Sequence, residues 1–224
     1  MTIRIVLLLG ALVMGSAAVP VEKDEQVALG AIRGRVDVRL PLGRERVRPS
    51  VRALGRSEAR GTPDRGQSVV YLEAVSQGAF EARPTGRAVL DQRQETFVPY
   101  VLPITVGTTV QFPNSDPIYH NVFSFSKPKR FDLGRYPQGR IKTVQFDSPG
   151  IVRVFCEIHS HMSAFILVFS HHYFDSTDET GRYRIDAVPP GVYDVSVWTD
   201  GEVRKSESVT VRAGEATDLD FTVE

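Results

Sequence analysis

Apolar and polar residues alternate along this chain in short runs broken by turn-forming residues. In residues 30–40, Ile32, Val36, Val38 and Leu40 are separated by charged or small side chains. That period of two marks a half-buried strand. Residues 68–75 are β-branched and aromatic, a composition suited to a pleated surface. Alternation returns in residues 107–112 and 141–146, residues 151–155 are an apolar run that looks like a strand, and residues 164–169 form a continuous apolar run that predicts a strand covered on both faces. Further strands are predicted over residues 182–186, 192–198, 203–211 and 217–223. Turns are expected at Pro113-Asn114-Ser115-Asp116-Pro117, at Asp147 to Gly150, at residues 177–181 and 188–191, and around Gly214. Residues 41–67 read as a long loop, and residues 127–140, with their prolines, glycines and basic side chains, as an exposed loop carrying at most a short turn. Beyond the first 18 residues nothing keeps a helical period for 12 residues. The expectation is an all-β chain built as sandwiches.

Length and charge narrow the frame. A chain of 224 residues makes one or two domains. Residues 1–18 have the form of a secretory signal, with Arg4 ahead of an apolar core and Ser16-Ala17-Ala18 as a small-residue cleavage site. Cleavage near Ala18 would yield an exported, periplasmic protein, and no later apolar stretch reaches the ~20 residues needed to span a bilayer. The 27 basic and 27 acidic residues balance, which argues against a nucleic-acid partner. Residues 33–65 depart from that balance, with ten arginines against Asp37, Glu45, Glu58 and Asp64. Such a run is usually a solvated loop.

The chemistry gathers in Phe155-Cys156-Glu157-Ile158-His159-Ser160-His161-Met162. Without residues 1–18, Met162 is the one methionine left, six residues after the one cysteine. An exported domain with a single cysteine cannot close an internal disulfide. A free cysteine taken alone is commonly a small buried hydrophobe, but here a thiol, imidazoles and a thioether share one loop. That is the donor set a copper ion takes, with one more imidazole from elsewhere, and His120 is the obvious supplier. Either His159 or His161 could be the loop's imidazole on spacing alone. His171 and His172, past the next strand, read as solvated residues at a turn.

Residues 106–168 resemble the cupredoxins, and Cys156-x-x-His159-x-x-Met162 is most similar to the amicyanin and plastocyanin group. Gly107, Val110, Phe112 and Asn114 match the family's approach to the early histidine, here His120, which asparagine follows as Asn121. The resemblance implies one type 1 copper held by His120, Cys156, His159 and Met162, with His161 as an alternative ligand. It also implies that Asn121 ties the two ligand loops together and that Phe155 and Ile158 keep water out. Residues 177–185 and 188–195 resemble the later half of a carboxypeptidase regulatory-like, transthyretin-type β-sandwich, and residues 30–36 and 69–73 resemble its opening strands. The implied organisation is a split sandwich, 30–76 and 172–224, with a cupredoxin domain, 80–170, inserted. Exported bacterial proteins joining these modules are often labelled methylamine-utilisation-like.

Three functions follow in order of expectation. The first is an exported one-electron carrier working with an unidentified redox partner protein. The second is a copper-binding or delivery protein without redox work, and the third a structural sandwich pair without metal. No Ser/His/Asp set or motif-supported carboxylate pair is present, so no enzyme activity is expected.

Overall fold

The computed structural model describes residues 28–39, 67–73 and 86–224. The expected signal segment, residues 1–18, and most of the arginine-rich stretch lie outside the described residues. Every regular element among the described residues is a strand, so the chain is all-β, and the strands form two sandwiches.

The first sandwich faces two sheets across one core. Its smaller sheet has the order β10 (Ile141–Gln145), β7 (Thr109–Pro113), β3 (Arg87–Val89). The larger has the order β6 (Val101–Thr105), β12 (Ser163–Phe169), β11 (Gly150–Phe155), β8 (His120–Ser124), β9 (Phe131–Tyr136). A hairpin, β4 (Asp91–Arg93) and β5 (Thr96–Val98), closes one end. The alternation read from the sequence has its physical cause here. On β7, Val110 and Phe112 point inward, and on β11 Val152 and Val154 do. They pack with Phe97, Val122, Phe146 and Ile166. Full burial of one such side chain is worth about 1.5–3 kcal/mol.

The second sandwich shows where the early strands go. β1 (Gly30–Val38) pairs antiparallel with β14 (Arg182–Val188), placing Ile32 opposite Ile185. On its other edge β1 runs parallel to β17 (Ala216–Asp218) and β18 (Phe221–Val223). The facing sheet has the order β13 (Phe174–Ser176), β2 (Val69–Leu72), β15 (Gly191–Thr199), β16 (Glu202–Val211). Between the sheets lie Ile32, Val70, Leu72, Ile185, Val195, Val197 and Phe221. Gly34 is required on β1, because a Cβ there would sit 1.8 Å from the Leu219 carbonyl oxygen.

The sandwiches meet on the outer face of β12. Ala164, Ile166 and Val168 enter the first core, while Phe165 and Leu167 pack on Val69, Tyr100, Val101 and Trp198. Phe165 and Trp198 meet edge to face at 5.0 Å. This two-sided burial accounts for the unbroken apolar run of residues 164–169.

Two expectations need correction. Residues 127–140 are not a loop throughout, since β9 occupies 131–136 and adds the edge strand beside β8. Phe131, Leu133 and Tyr136 supply its core contacts. The pattern escapes a period of two because Gly134 adopts φ 60° and the register shifts between Asn121 and Phe123. The short strand β13 was also unforeseen; three residues carry too little pattern.

Candidate metal centre

Three strand ends converge at one end of the first sandwich. The turn at residues 113–117 delivers His120 to the start of β8, and Cys156 follows the last residue of β11. The loop then folds back. Met162 N–H donates to the His159 carbonyl at 2.9 Å, and Cys156 N–H donates to the Met162 carbonyl at 3.3 Å. His159 is thereby turned over Cys156 at the entrance to β12 (Ser163–Phe169).

The resulting group is compact. His120 Nδ1 lies 3.9 Å from Cys156 Sγ, His159 Nδ1 lies 3.8 Å from the same sulfur, and the two Nδ1 atoms are 3.0 Å apart. One ligand atom from each residue lies within 4.8 Å of the others. Two donors each about 2.0–2.3 Å from one ion can be no more than about 4.6 Å apart. These separations therefore suit a single ion. His120 is 0 % exposed and Cys156 3 %, while His159 keeps one side open. Met162, 1 % exposed, belongs to the same core cluster as Cys156.

Electrostatics favour a thiolate. Burial pushes the Cys156 thiol up, but its contacts with the His120 ring, with the backbone of Asn121 and His159, and with the His159 ring outweigh it and hold the group at about 6. The thiolate is the form that binds metal. For His120, burial acts downward, yet Cys156 and Asp116 on either side raise its pKa above the ordinary value.

Asn121 is buried and spans the two chain segments: its Oδ1 accepts Glu157 N–H at 3.0 Å, and its Nδ2 donates to Asp132 Oδ1 at 2.8 Å. His161 stands outside the group, its ring 6.1 Å from that of His159 and its Nε2 3.6 Å from Glu95 Oε2. Phe155 does not shield the cysteine as expected. It stands on the face of β11 opposite Val154, where its ring meets Phe123 at 5.8 Å and lies beneath the Arg153 guanidinium at 4.8 Å. A strand that buries Val152 and Val154 must turn Phe155 outward. Ile158 is likewise exposed, as are Ile118 and Tyr119 just before His120. His171 is not solvated but 7 % exposed, its ring near Phe169 and Tyr173, and burial holds its pKa below the ordinary value. Its neighbour His172 is exposed.

Sequence reasoning missed the polar network beneath His120. Asp116 Oδ2 accepts from His120 Nε2 at 2.8 Å, and Asn114 Nδ2 donates to the carbonyls of Ile118 (2.8 Å) and Tyr136 (3.0 Å). Gln92 Nε2 donates to the Tyr136 hydroxyl at 2.5 Å, which donates to the Phe112 carbonyl at 3.1 Å. Asp116 was legible only as a turn former, and Asn114 as a turn former and as part of the approach to His120. A carboxylate four residues before a candidate imidazole was the available signal.

Residues 166–224 match the family model of the carboxypeptidase regulatory-like domain. Among solved structures, a purple cupredoxin from Nitrosopumilus maritimus aligns at 23% identity, covering 37% of this chain and 99% of its own, with a TM-score of 0.34. A reduced single-residue variant of amicyanin aligns at 20% identity over 41% of this chain and 89% of its own, with a TM-score of 0.35. A copper-containing nitrite reductase from Thermus scotoductus aligns at 28% identity over 44% of this chain, TM-score 0.35, and the match spans 25% of that enzyme. No curated protein matches.

Proposed function

We propose that this protein is an exported one-electron carrier holding one type 1 copper through His120, Cys156 and His159, with Met162 as a weak fourth donor. The observation that carries this reading is the convergence of one sulfur and two imidazole nitrogens, brought from two separate chain segments to within 4.8 Å of one another. A thiolate with two imidazoles suits copper better than a hard cation, which prefers oxygen. Bound copper would supply reversible one-electron exchange.

The chain's own residues do the rest. Cys156 and His120 are already buried in the orientation they would hold as ligands, so little need move when the charge changes. The Asn121 bridge keeps the β8 and β11 ends at fixed separation. His159 offers an open edge, and the exposed apolar side chains of Ile118 and Tyr119, just before His120, and of Ile158, just before His159, are the surface against which we propose that a redox partner protein seats. Electrons would pass there. No substrate is converted.

We further propose the domain division 30–76 with 172–224 and 80–170, supported by the pairing of β1 with β14 and of β2 with β15. Export rests on the form of residues 1–18, and no helix among the described residues is long and apolar enough to cross a membrane. Adding one equivalent of Cu(II) should give an intense visible band and a reversible one-electron wave in voltammetry. A colourless complex that binds copper without such a wave would replace the carrier with a copper-delivery role.

A further inference from the structure

Asp116 stands outside the three-donor group and is 6 % exposed. Three N–H groups converge on its carboxylate. Gln94 N donates to Oδ1 at 2.5 Å, Glu95 N to Oδ2 at 2.8 Å, and His120 Nε2 lies 2.8 Å from the same Oδ2. An ionised carboxylate has only acceptors to offer, so the Nε2 of His120 carries the proton in that contact. Asp116 is itself fixed, because its N–H donates to Asn114 Oδ1 at 3.0 Å.

The hairpin turn above it is built around that carboxylate. Gln94 and Glu95 have φ of 55° and 54°, a left-handed conformation that side chains other than Gly, Asn and Asp visit rarely. Such residues persist where their surroundings hold them, and here both amides point at Asp116. On the far side of the imidazole, Nδ1 faces Cys156 Sγ at 3.9 Å and His159 Nδ1 at 3.0 Å. One proton on Nε2 leaves Nδ1 with a free lone pair directed into the group.

We infer that Asp116 is a positioning residue for His120: it fixes the Nε2–H tautomer, aims Nδ1 at the metal site, and sets a negative charge behind the ring that favours the oxidised state of copper bound there. The charge effect rests on the copper reading above; the tautomer does not. Carboxylate partners of ligand histidines act in this sense, orienting the ring and raising its basicity.

The tautomer is tested on metal-free, 15N-labelled wild type at a pH above imidazole titration, by long-range 15N–1H correlation. The proton is expected on Nε2 of His120; an Nδ1–H tautomer or an even mixture would overturn the inference. The charge effect is tested by voltammetry of copper-loaded wild type, Asp116→Asn and Asp116→Glu. The Asn variant should favour the reduced state by tenfold or more, about 59 mV for one electron, with Glu restoring most of the difference. Equal potentials in all three would reduce Asp116 to a cap for the hairpin turn. Should Asp116→Asn fail to fold, the wild-type tautomer and the Glu variant still decide. A wild type that takes up no copper would defeat the proposed function, while the tautomer would still decide whether Asp116 positions His120.

Discussion

The two sandwiches bury different things. In the second, the core is apolar and the buried polar residues, Ser68, Thr177, Ser196 and Thr199, are hydroxyls, apart from His171, whose ring lies near Tyr173. Ser68 satisfies two of these, its Oγ lying 2.6 Å from Thr199 Oγ1 and its N–H donating to Thr177 Oγ1 at 2.9 Å. In the first, the same depth holds Gln92, Asn114, Asp116, His120 and Asn121. Amide, carboxylate and imidazole groups are costly to bury unless they are paired. Here most are paired, from Gln92 Nε2 through Tyr136 and from Asp116 to His120, while Gln92 Oε1 is buried without a hydrogen-bond partner among the described residues. A fold that needs only to be stable can use the dry core; the linked chain of buried amide, carboxylate and imidazole groups lies in the sandwich with the donor group. The difference therefore locates function more sharply than any one residue does.

The comparison can be broken at the junction. Trp198 is 1 % exposed and packs on Phe165, whose strand also lines the first core. Trp198→Ala should cost roughly 3–5 kcal/mol, as large-to-small changes in cores do, and denaturant unfolding would measure it. The copper spectrum of the folded fraction should be unchanged. A spectral change would mean that the dry sandwich shapes the site.

Asn121→Ala should act in the opposite manner. Losing the bonds to Glu157 N and Asp132 leaves groups unsatisfied at a cost of about 1–3 kcal/mol. The loss should appear in both stability and copper affinity, measured by unfolding and by competitive chelation. Met162 gives a finer probe. An oxygen donor in Met162→Gln should lower the potential and Met162→Leu should raise it, with tenfold in equilibrium equal to about 59 mV. Voltammetry giving one potential for all three proteins would remove Met162 from the ligand set.

The smallest effect is expected from pH. His171 has its folded-state pKa depressed from 6.5 by burial. As pH falls through 6.5 the unfolded imidazole takes a proton that the folded one resists, so stability is full above that value and declines below it. Melting temperature against pH should fall less steeply in the acid range for His171→Gln than for wild type. Parallel curves would show that another group dominates.

The donor group was legible because its chemistry is rare: one cysteine, one remaining methionine and clustered histidines leave few alternatives. That residues 30–40 and 182–186 share a sandwich was expected from their resemblance to one split domain, whereas the pairing of β1 with β14, with Ile32 opposite Ile185, was not read from the sequence. β9 was hidden by Gly134 and by basic side chains that stay outside while Phe131 and Leu133 turn inward. Phe155 and His171 were misread for a common reason. Sequence gives a side chain's polarity, whereas the face it takes depends on which sheet covers it. Phe155 falls on the outer face of β11, and His171 lies in the segment between β12 and β13, where Phe169 and Tyr173 enclose it. Asp116 lay inside a run of turn residues, and its place four residues before His120 was the one local sign separating a carboxylate that caps a turn from one that also holds an imidazole.

The central claim is that Cys156 binds copper as a thiolate between His120 and His159. The direct test is the visible and EPR spectrum of copper-loaded wild type beside Cys156→Ser and His161→Ala. An intense charge-transfer band is predicted in wild type and His161→Ala and its loss in Cys156→Ser; a band that survives in Cys156→Ser, or vanishes in His161→Ala, would contradict the assignment.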